Sequence, residues 1–322
     1  MRVRPFALPA ALALFTAGLV PLPLLAPWGP ASAAEFSTSA EPIPVVVTIP
    51  VLKDLVEQVG GSRVRVQALM SGLESEHSYS PRPSDLMAIS KARLLVEIGV
   101  GLEVWVQPLV KNSGNPLLSV VTTSKGIALI RDHDPHASNT AADGATHENP
   151  QAGNPHIWLD PENAKIMMRH ITESLIRTDP AHAPDYRKNQ AAYLRHLDDL
   201  QSELAGRLKS VKDRRIIVHH PAWPYFARRF GFQIAGEIVT QPGAEPSARR
   251  VQELIVRIRK ERIRVIVSEP QLNHSIPQLL AQETGARLVV LTPLPGGVAG
   301  TDSYLDMLRY NVLQLAEALE RT

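Results

Sequence analysis

The sequence contains no cysteine and, beyond its first 34 residues, no long apolar run. The absence of cysteine excludes disulfide bonds and any metal site built on thiolates. It also removes the residue that would carry a lipid anchor at a signal-peptide junction. No later apolar run approaches the roughly 18 residues that a membrane-spanning helix needs. We therefore expect a chain that needs no oxidative folding and is not held at a membrane.

Residues 1–34 have the features of a secretory signal peptide. Arg2 and Arg4 provide a basic start, an apolar core follows, and small residues end at Ala33 and Ala34, as at a typical cleavage site. Four prolines in the second half disfavour the alternative, a retained membrane anchor. We expect cleavage near Ala33/Ala34 and a soluble protein in the periplasm.

Charge is balanced once this leader is removed. The sequence has 34 Lys+Arg and 32 Asp+Glu. Residues 1–34 hold two arginines and no acidic residue, so the mature chain has 32 residues of each sign. Nucleic-acid binding requires a basic surface. We therefore expect no nucleic-acid partner.

Alternation of strand-like and helix-like segments predicts an α/β fold. The β-branched run 44–49 precedes a segment of helical spacing at 51–59, and the same alternation restarts at residue 215, which is typical of mostly parallel sheets covered by helices. Residues 185–211 carry regularly spaced leucines and predict one helix about 40 Å long, enough to join two lobes. The predicted parts are an N-terminal lobe at 41–182, a linking helix at 183–212 and a C-terminal lobe at 213–322.

Three histidines stand where a predicted strand ends and a helix is about to begin: His77, His156 and His220. Ligands of open α/β sheets bind at the carboxyl ends of the strands, and histidine is the commonest metal ligand side chain. Each histidine taken alone is more often structural or solvated. Their separations of 79 and 64 residues match no local zinc-ligand spacing, so only the fold could bring them together.

Six short segments occur in a characteristic order along the mature chain. They are HSYSPRPSD (77–85), IGVGLEVW (98–105), NPHIWLDP (154–161), HPAWPYF (220–226), SEPQ (268–271) and TDSY (301–304).

These segments together resemble the ZnuA/TroA-like group of periplasmic metal-binding proteins, cluster A-I, which serve zinc and manganese ABC transporters. The resemblance implies two Rossmann-like α/β lobes joined by a long rigid helix, with metal in the cleft between them. It places His77 and His156 in the first lobe and His220 in the second. It implies Zn²⁺ as the transported ligand, with Mn²⁺ as the alternative, and no enzymatic activity. The implied partner of this monomer is a membrane permease with its cytoplasmic ATPase.

The fourth ligand stays open at this stage. Many members of the resembled group carry an aspartate after the last strand, where this chain has Leu291-Thr292-Pro293. Asp302 could reach the metal, although it could instead cap the last helix. Glu76 and a water molecule are further candidates, and three imidazoles with one weak position suit zinc better than manganese. His219 alternates to the other side of its strand, which favours His220.

A polar loop at residues 132–153 is the second feature with metal-binding chemistry. It contains three histidines among acidic residues, and zinc-binding members of the resembled group carry a histidine- and acid-rich loop at this place. A secondary metal-collecting role is one interpretation, and a solvated linker fits the composition as well. The loop histidines are His133, His136 and His147.

Two other function classes remain as alternatives. Three histidines with an open position also describe catalytic zinc, but no motif such as His-Glu-x-x-His places a general base. An adhesin on the same scaffold is disfavoured by the missing lipid-anchor cysteine. The sequence therefore predicts a periplasmic protein that captures Zn²⁺ and delivers it to an ABC transporter.

Overall fold

The computed structural model describes residues 41–131, 153–240 and 244–320. Across these ranges, no helix combines the length and apolarity that crossing a membrane would require. The expected signal peptide lies outside the described residues. The same holds for the histidines of the polar loop: His133, His136 and His147.

Two four-stranded parallel sheets organise the described part of the chain. The strand order is β2-β1-β3-β4 in the first sheet and β6-β5-β7-β8 in the second, so both sheets have the same topology. The strands are β1 (Ile43–Val47), β2 (Val64–Ala68), β3 (Leu94–Glu97), β4 (Ser119–Thr122), β5 (Arg215–Val218), β6 (Gln233–Glu237), β7 (Val265–Ser268) and β8 (Arg287–Val290).

Helices cover both sheets, as parallel strands buried on two faces require. The central strands are almost wholly apolar; Val265, Ile266 and Val267 of β7, for example, are inaccessible to solvent. The helices are α1 (Pro50–Gly60), α2 (Pro83–Lys91), α3 (Val106–Asn112), α4 (Pro161–Thr178), α5 (Ala183–Arg207), α6 (Pro224–Phe230), α7 (Ala248–Glu261), α8 (Ser275–Thr284) and α9 (Tyr304–Glu320).

The long helix α5 joins the two halves. It packs against α1 and α4 of the first half and against α9 of the second, because Tyr193, Leu197, Leu200 and Leu204 form one buried stripe along it. The two-lobed α/β architecture with a long helix is therefore confirmed. The limits of the lobes stay predictions.

Two local predictions are wrong. The apolar run 127–130 predicts a strand but forms none; instead Ile130 is hydrogen-bonded to Asn154 and to the hydroxyl of Tyr225. The apolar spacing of residues 102–110 predicts a helix from Leu102, but residues 101–105 form turns and the helix begins at Val106. The preceding residues Gly99, Val100 and Gly101 all have positive φ angles, which an α-helix does not adopt.

The shared topology creates a crevice in each half. In the order β6-β5-β7-β8 the chain changes direction between β5 and β7, and ligands bind at such a switch point outside the carboxyl ends of the strands. His220 lies two residues after β5, and Glu269 directly follows β7. The C-terminal half therefore presents an imidazole and a carboxylate at the place where this fold binds ligands.

Candidate metal centre

His77 lies in a turn-rich segment between β2 and α2 that folds on itself. The Tyr79 hydroxyl lies 3.0 Å from the Leu69 carbonyl and 2.6 Å from Asp85 Oδ2. Asp85 also accepts a hydrogen bond from the Arg82 backbone N–H, in the capping box of α2. This short-range network fixes the path of the chain on both sides of His77.

His156 is buried just before α4 and is oriented by Asn154. The Asn154 Oδ1 atom accepts the His156 backbone N–H at 3.0 Å and lies 2.9 Å from His156 Nδ1. Asn154 Nδ2 donates to the Pro221 carbonyl at 2.6 Å. Because the amide nitrogen is used there, its oxygen faces His156, and the ring places its proton on Nδ1 and its lone pair on Nε2.

His220 comes from the second half of the chain, at the end of β5. Its Nδ1 atom lies 2.8 Å from Glu269 Oε1, and both side chains are buried. The carboxylate accepts the Nδ1 proton, so the Nε2 atom is left to act as a ligand. Trp223 Nε1 donates to the same carboxylate oxygen at 3.0 Å.

The three histidine side chains lie close together, and the Glu76 side chain lies beside them. Glu76, His77, His156 and His220 each offer one ligand atom, and all four atoms lie within 4.8 Å of one another. The Nε2 atoms of His77 and His156 are 3.1 Å apart, and Glu76 Oε1 is 3.3 Å from His156 Nε2. Residues 79 and 64 positions apart in the chain thus form one compact group of three imidazoles and a carboxylate.

Two atoms of this group are buried without a hydrogen-bond partner: His220 Nε2 and Glu76 Oε1. Leaving a buried polar atom unpaired costs about 1–3 kcal/mol, so such atoms usually serve a function. A metal ion bound between them would satisfy both. The donor set, three nitrogens and one carboxylate oxygen, fits the tetrahedral coordination that zinc prefers.

The pKa values of the three histidines diverge. Burial, together with the neighbouring His156, lowers the pKa of His77 to about 3. Burial, with His220 nearby, lowers the pKa of His156 well below its usual 6.5. Burial also acts to lower the pKa of His220, but its attraction to Glu269 and their hydrogen bond outweigh burial, so this pKa is raised. Two of the imidazoles are therefore neutral and ready to bind a cation at neutral pH.

Asp302 and His219 are not members of this group. Asp302 is exposed ahead of α9. The cap of that helix is formed by Ser303, whose hydroxyl accepts the Asp306 backbone N–H at 3.1 Å. His219 is buried next to His220, and its Nδ1 atom has no hydrogen-bond partner. The structure thus brings together His77, His156 and His220 of the predicted residues, with Glu76 beside them.

The residue whose importance the sequence did not reveal is Glu269. It lies in the segment SEPQ (268–271). In that segment, only its position directly after a strand indicated that it could lie at a ligand site. Its contact with His220 joins residues 49 positions apart, which no local pattern predicts.

The two halves also touch directly at Gly72, in the segment that precedes His77 in the sequence. Gly72 lies so close to Pro295 that an added Cβ would be 2.2 Å from the Pro295 carbonyl oxygen and 2.7 Å from Gly297 N. Gln271 Nε2 donates to the Gly72 carbonyl at 2.5 Å. Only a residue without a side chain permits this backbone approach, which holds the two segments in direct contact.

The chain is similar in sequence and in fold to proteins of known name. The High-affinity zinc uptake system protein ZnuA of Brucella suis is 31% identical over 306 residues, covering 86% of this chain and 92% of its own length. The Manganese-binding lipoprotein MntA of Halalkalibacterium halodurans is 26% identical over 281 residues, covering 86% of this chain and 88% of its own. A crystal structure of ZnuA superimposes with a TM-score of 0.75 at 28% identity, covering 86% of this chain and 98% of its own.

The match to a defined family extends across both halves and every member of the four-residue group. Residues 45–318 match the family described as ZnuA, zinc-uptake complex component A, periplasmic. Proteins of this family are the substrate-binding components of metal ABC transporters and are not enzymes. The chain therefore belongs to the ZnuA family of periplasmic metal-binding proteins.

Proposed function

We propose that this protein captures one Zn²⁺ ion in the periplasm and delivers it to the membrane permease of an ABC transporter. His77, His156 and His220 bind the ion through their Nε2 atoms, and the Glu76 carboxylate is the fourth ligand. The observation that carries this proposal is the buried group of four ligand atoms within 4.8 Å, two of them without a hydrogen-bond partner. Family membership supports the partner and the location.

Zinc is favoured over manganese by the chemistry of the donor set. Zn²⁺ takes four nitrogen, sulfur or oxygen ligands in a tetrahedron. Mn²⁺ prefers carboxylate and other oxygen ligands, usually six of them. The group offers three imidazoles and a single carboxylate, which gives Mn²⁺ too few oxygen ligands. The relative named for manganese keeps Mn²⁺ as the alternative.

Both halves of the chain supply ligand residues, and this division provides a route for capture and release of the ion. Glu76, His77 and His156 belong to the N-terminal half, whereas His220 comes from the C-terminal half. A small separation of the halves therefore withdraws one ligand and weakens the site while the other three stay together. We infer that docking to the permease releases zinc by this separation.

A competition titration tests the choice of metal. Purified mature protein, stripped with a chelator, is titrated with Zn²⁺ and with Mn²⁺ against the same metal indicator. The proposal expects one tight site per chain and a preference for zinc of at least about a hundredfold, since imidazole-rich sites follow the order Mn²⁺ below Zn²⁺. Equal or tighter binding of Mn²⁺ would assign the protein to manganese uptake instead.

A further inference from the structure

Glu269 is a buried carboxylate that the four-ligand group does not use directly. It is inaccessible to solvent at the carboxyl end of β7. Its Oε1 atom accepts hydrogen bonds from His220 Nδ1 at 2.8 Å and from Trp223 Nε1 at 3.0 Å. Its Oε2 atom is buried and has no hydrogen-bond partner. Half of the acceptor capacity of this side chain is therefore unused.

A buried carboxylate normally needs a nearby positive charge. Taking an ion out of water costs several kcal/mol, which only good pairing offsets. Within the described ranges, no lysine or arginine forms an ion pair with Glu269, and His220 is the side chain that contacts it in this way. The place for a compensating charge is therefore the far side of the His220 ring, where Nε2 faces Glu76, His77 and His156.

We propose that Glu269 is a positioning residue that also balances the charge of the captured ion; this inference rests on the proposed function. By accepting the Nδ1 proton, it fixes the His220 tautomer that directs a lone pair at the metal, and it makes that nitrogen a stronger donor. Glu76 and Glu269 together supply two negative charges. A divalent cation then offsets both carboxylates, whereas a monovalent cation leaves part of this buried negative charge unbalanced at high cost.

The substitution Glu269→Gln removes the negative charge of this side chain and keeps its shape. Glutamine has nearly the same shape, and its oxygen can still accept from His220 and Trp223. The matched control is Glu97→Gln, which neutralises another buried carboxylate, one that accepts a hydrogen bond from Thr122 Oγ1 at 2.7 Å and is not a member of the four-residue group. Both variants and the wild type are titrated with Zn²⁺ against a chelator.

The expected result is a loss of zinc affinity of about 10- to 100-fold in Glu269→Gln, the usual effect of mutating the partner of a ligand, because the neutral amide keeps the hydrogen bond but lacks the negative charge. Glu97→Gln should stay within about twofold of wild type, because Glu97 contacts none of the four ligands. Wild-type affinity in Glu269→Gln would overturn the inference and leave the proposed function intact. Failure of the wild type to bind any divalent ion would instead refute the proposed function.

Two further measurements distinguish the charge-balancing role of Glu269 from a purely structural role. The visible absorption of Co²⁺-loaded protein reports coordination number, and we expect the same spectrum for Glu269→Gln and wild type. A spectrum showing a lost ligand would overturn the charge-balancing role. The second measurement needs no variant: in the zinc-loaded wild type, proton NMR should show the His220 Nδ1 proton shifted far downfield and protected from exchange. Its absence would overturn the proposed hydrogen bond to Glu269.

Discussion

His77 and His156, which are 79 residues apart in the chain, point their Nε2 atoms at each other across 3.1 Å. The Nδ1 atom of His156 faces Asn154 Oδ1, so its Nε2 carries a lone pair and His77 is the donor in this contact. Two nitrogens bound to one tetrahedral zinc ion lie roughly 3.3 Å apart. The metal-free contact therefore already has the spacing of a ligand pair; when zinc binds, the His77 proton would move to its Nδ1 atom and free Nε2 as a ligand.

The fourth ligand can be tested by comparing two acidic residues. Glu76→Gln should lower zinc affinity by more than the 10- to 100-fold typical of an outer partner, because it removes the negative ligand itself. Asp302→Asn should leave affinity within about twofold of wild type, because Asp302 is exposed and outside the group. Chelator-competition titrations measure both. The reverse order of effects would return the fourth position to Asp302.

The logarithm of the zinc affinity should rise with pH with a slope near one in the range where His220 loses its proton. The pKa of His77 is lowered to about 3 and that of His156 well below 6.5, so both rings are neutral at neutral pH and need not lose a proton to bind metal. The pKa of His220 is raised above 6.5, and its proton must leave before zinc binds. Affinity should therefore fall about tenfold per pH unit as pH drops through this raised pKa.

The outcome that contradicts this prediction is equally specific. Three histidines with ordinary pKa values would bind zinc with a slope approaching three at a pH below 6.5. Such a slope, or constant affinity between pH 8 and pH 5, would show that His220 does not hold its proton as Glu269 implies. Titrations of zinc affinity at half-unit pH steps distinguish these cases.

The contact between Gly72 and the loop at Pro295 should control metal retention. In Gly72→Ala the new Cβ meets the Pro295 carbonyl oxygen at 2.2 Å, so the two backbone segments must separate. Overpacking of this kind costs about 1–3 kcal/mol, which corresponds to a 5- to 150-fold loss of zinc affinity if only the closed state is strained. Stopped-flow release into a chelator should show faster dissociation.

Gly206→Ala is the matched control for this variant. Gly206 lies in α5, and an added Cβ there meets no atom within 4 Å. Its zinc affinity should equal that of wild type, and its stability should rise slightly because alanine favours a helix. If Gly72→Ala also retains wild-type affinity and release rate, the glycine contact has no part in closing the cleft.

Local signals were sufficient to predict most of the fold. Asp160 and Ser247 are of the residue types that cap helices, and each accepts a backbone N–H of the first turn. The long helix was predicted at 185–211 and spans Ala183–Arg207, followed by a 3-10 turn. The strand predicted at 127–130 failed because an apolar run does not reveal whether its partner is another strand or, as here, Asn154 and Tyr225.

The site was harder to predict because its residues meet only through the fold. Strand ends pointed to His77, His156 and His220, and the resemblance joined them. The fourth position could not be chosen, since neighbours in sequence do not reveal which carboxylate turns inward: Glu76 is buried beside the histidines, whereas Asp302 is exposed.

The polar loop remains a prediction, because its histidines lie outside the described residues. Deleting residues 133–147 removes three imidazoles and should abolish weak secondary zinc binding while leaving one tight site per chain. Equilibrium dialysis across a range of zinc concentrations measures both classes. Unchanged total stoichiometry would leave the loop as a solvated linker without a collecting role.

The zinc content of the purified mature protein tests the proposed site most directly. It is measured by elemental analysis after dialysis against a weak chelator. The same measurement is made on three single variants: His77→Ala, His156→Ala and His220→Ala. His170→Ala is the control, because His170 contacts the Lys125 carbonyl and is not in the group. We expect one zinc per chain in wild type and control, and loss of tightly bound zinc in each of the three variants. Retention of tightly bound zinc by all three would contradict the proposed site.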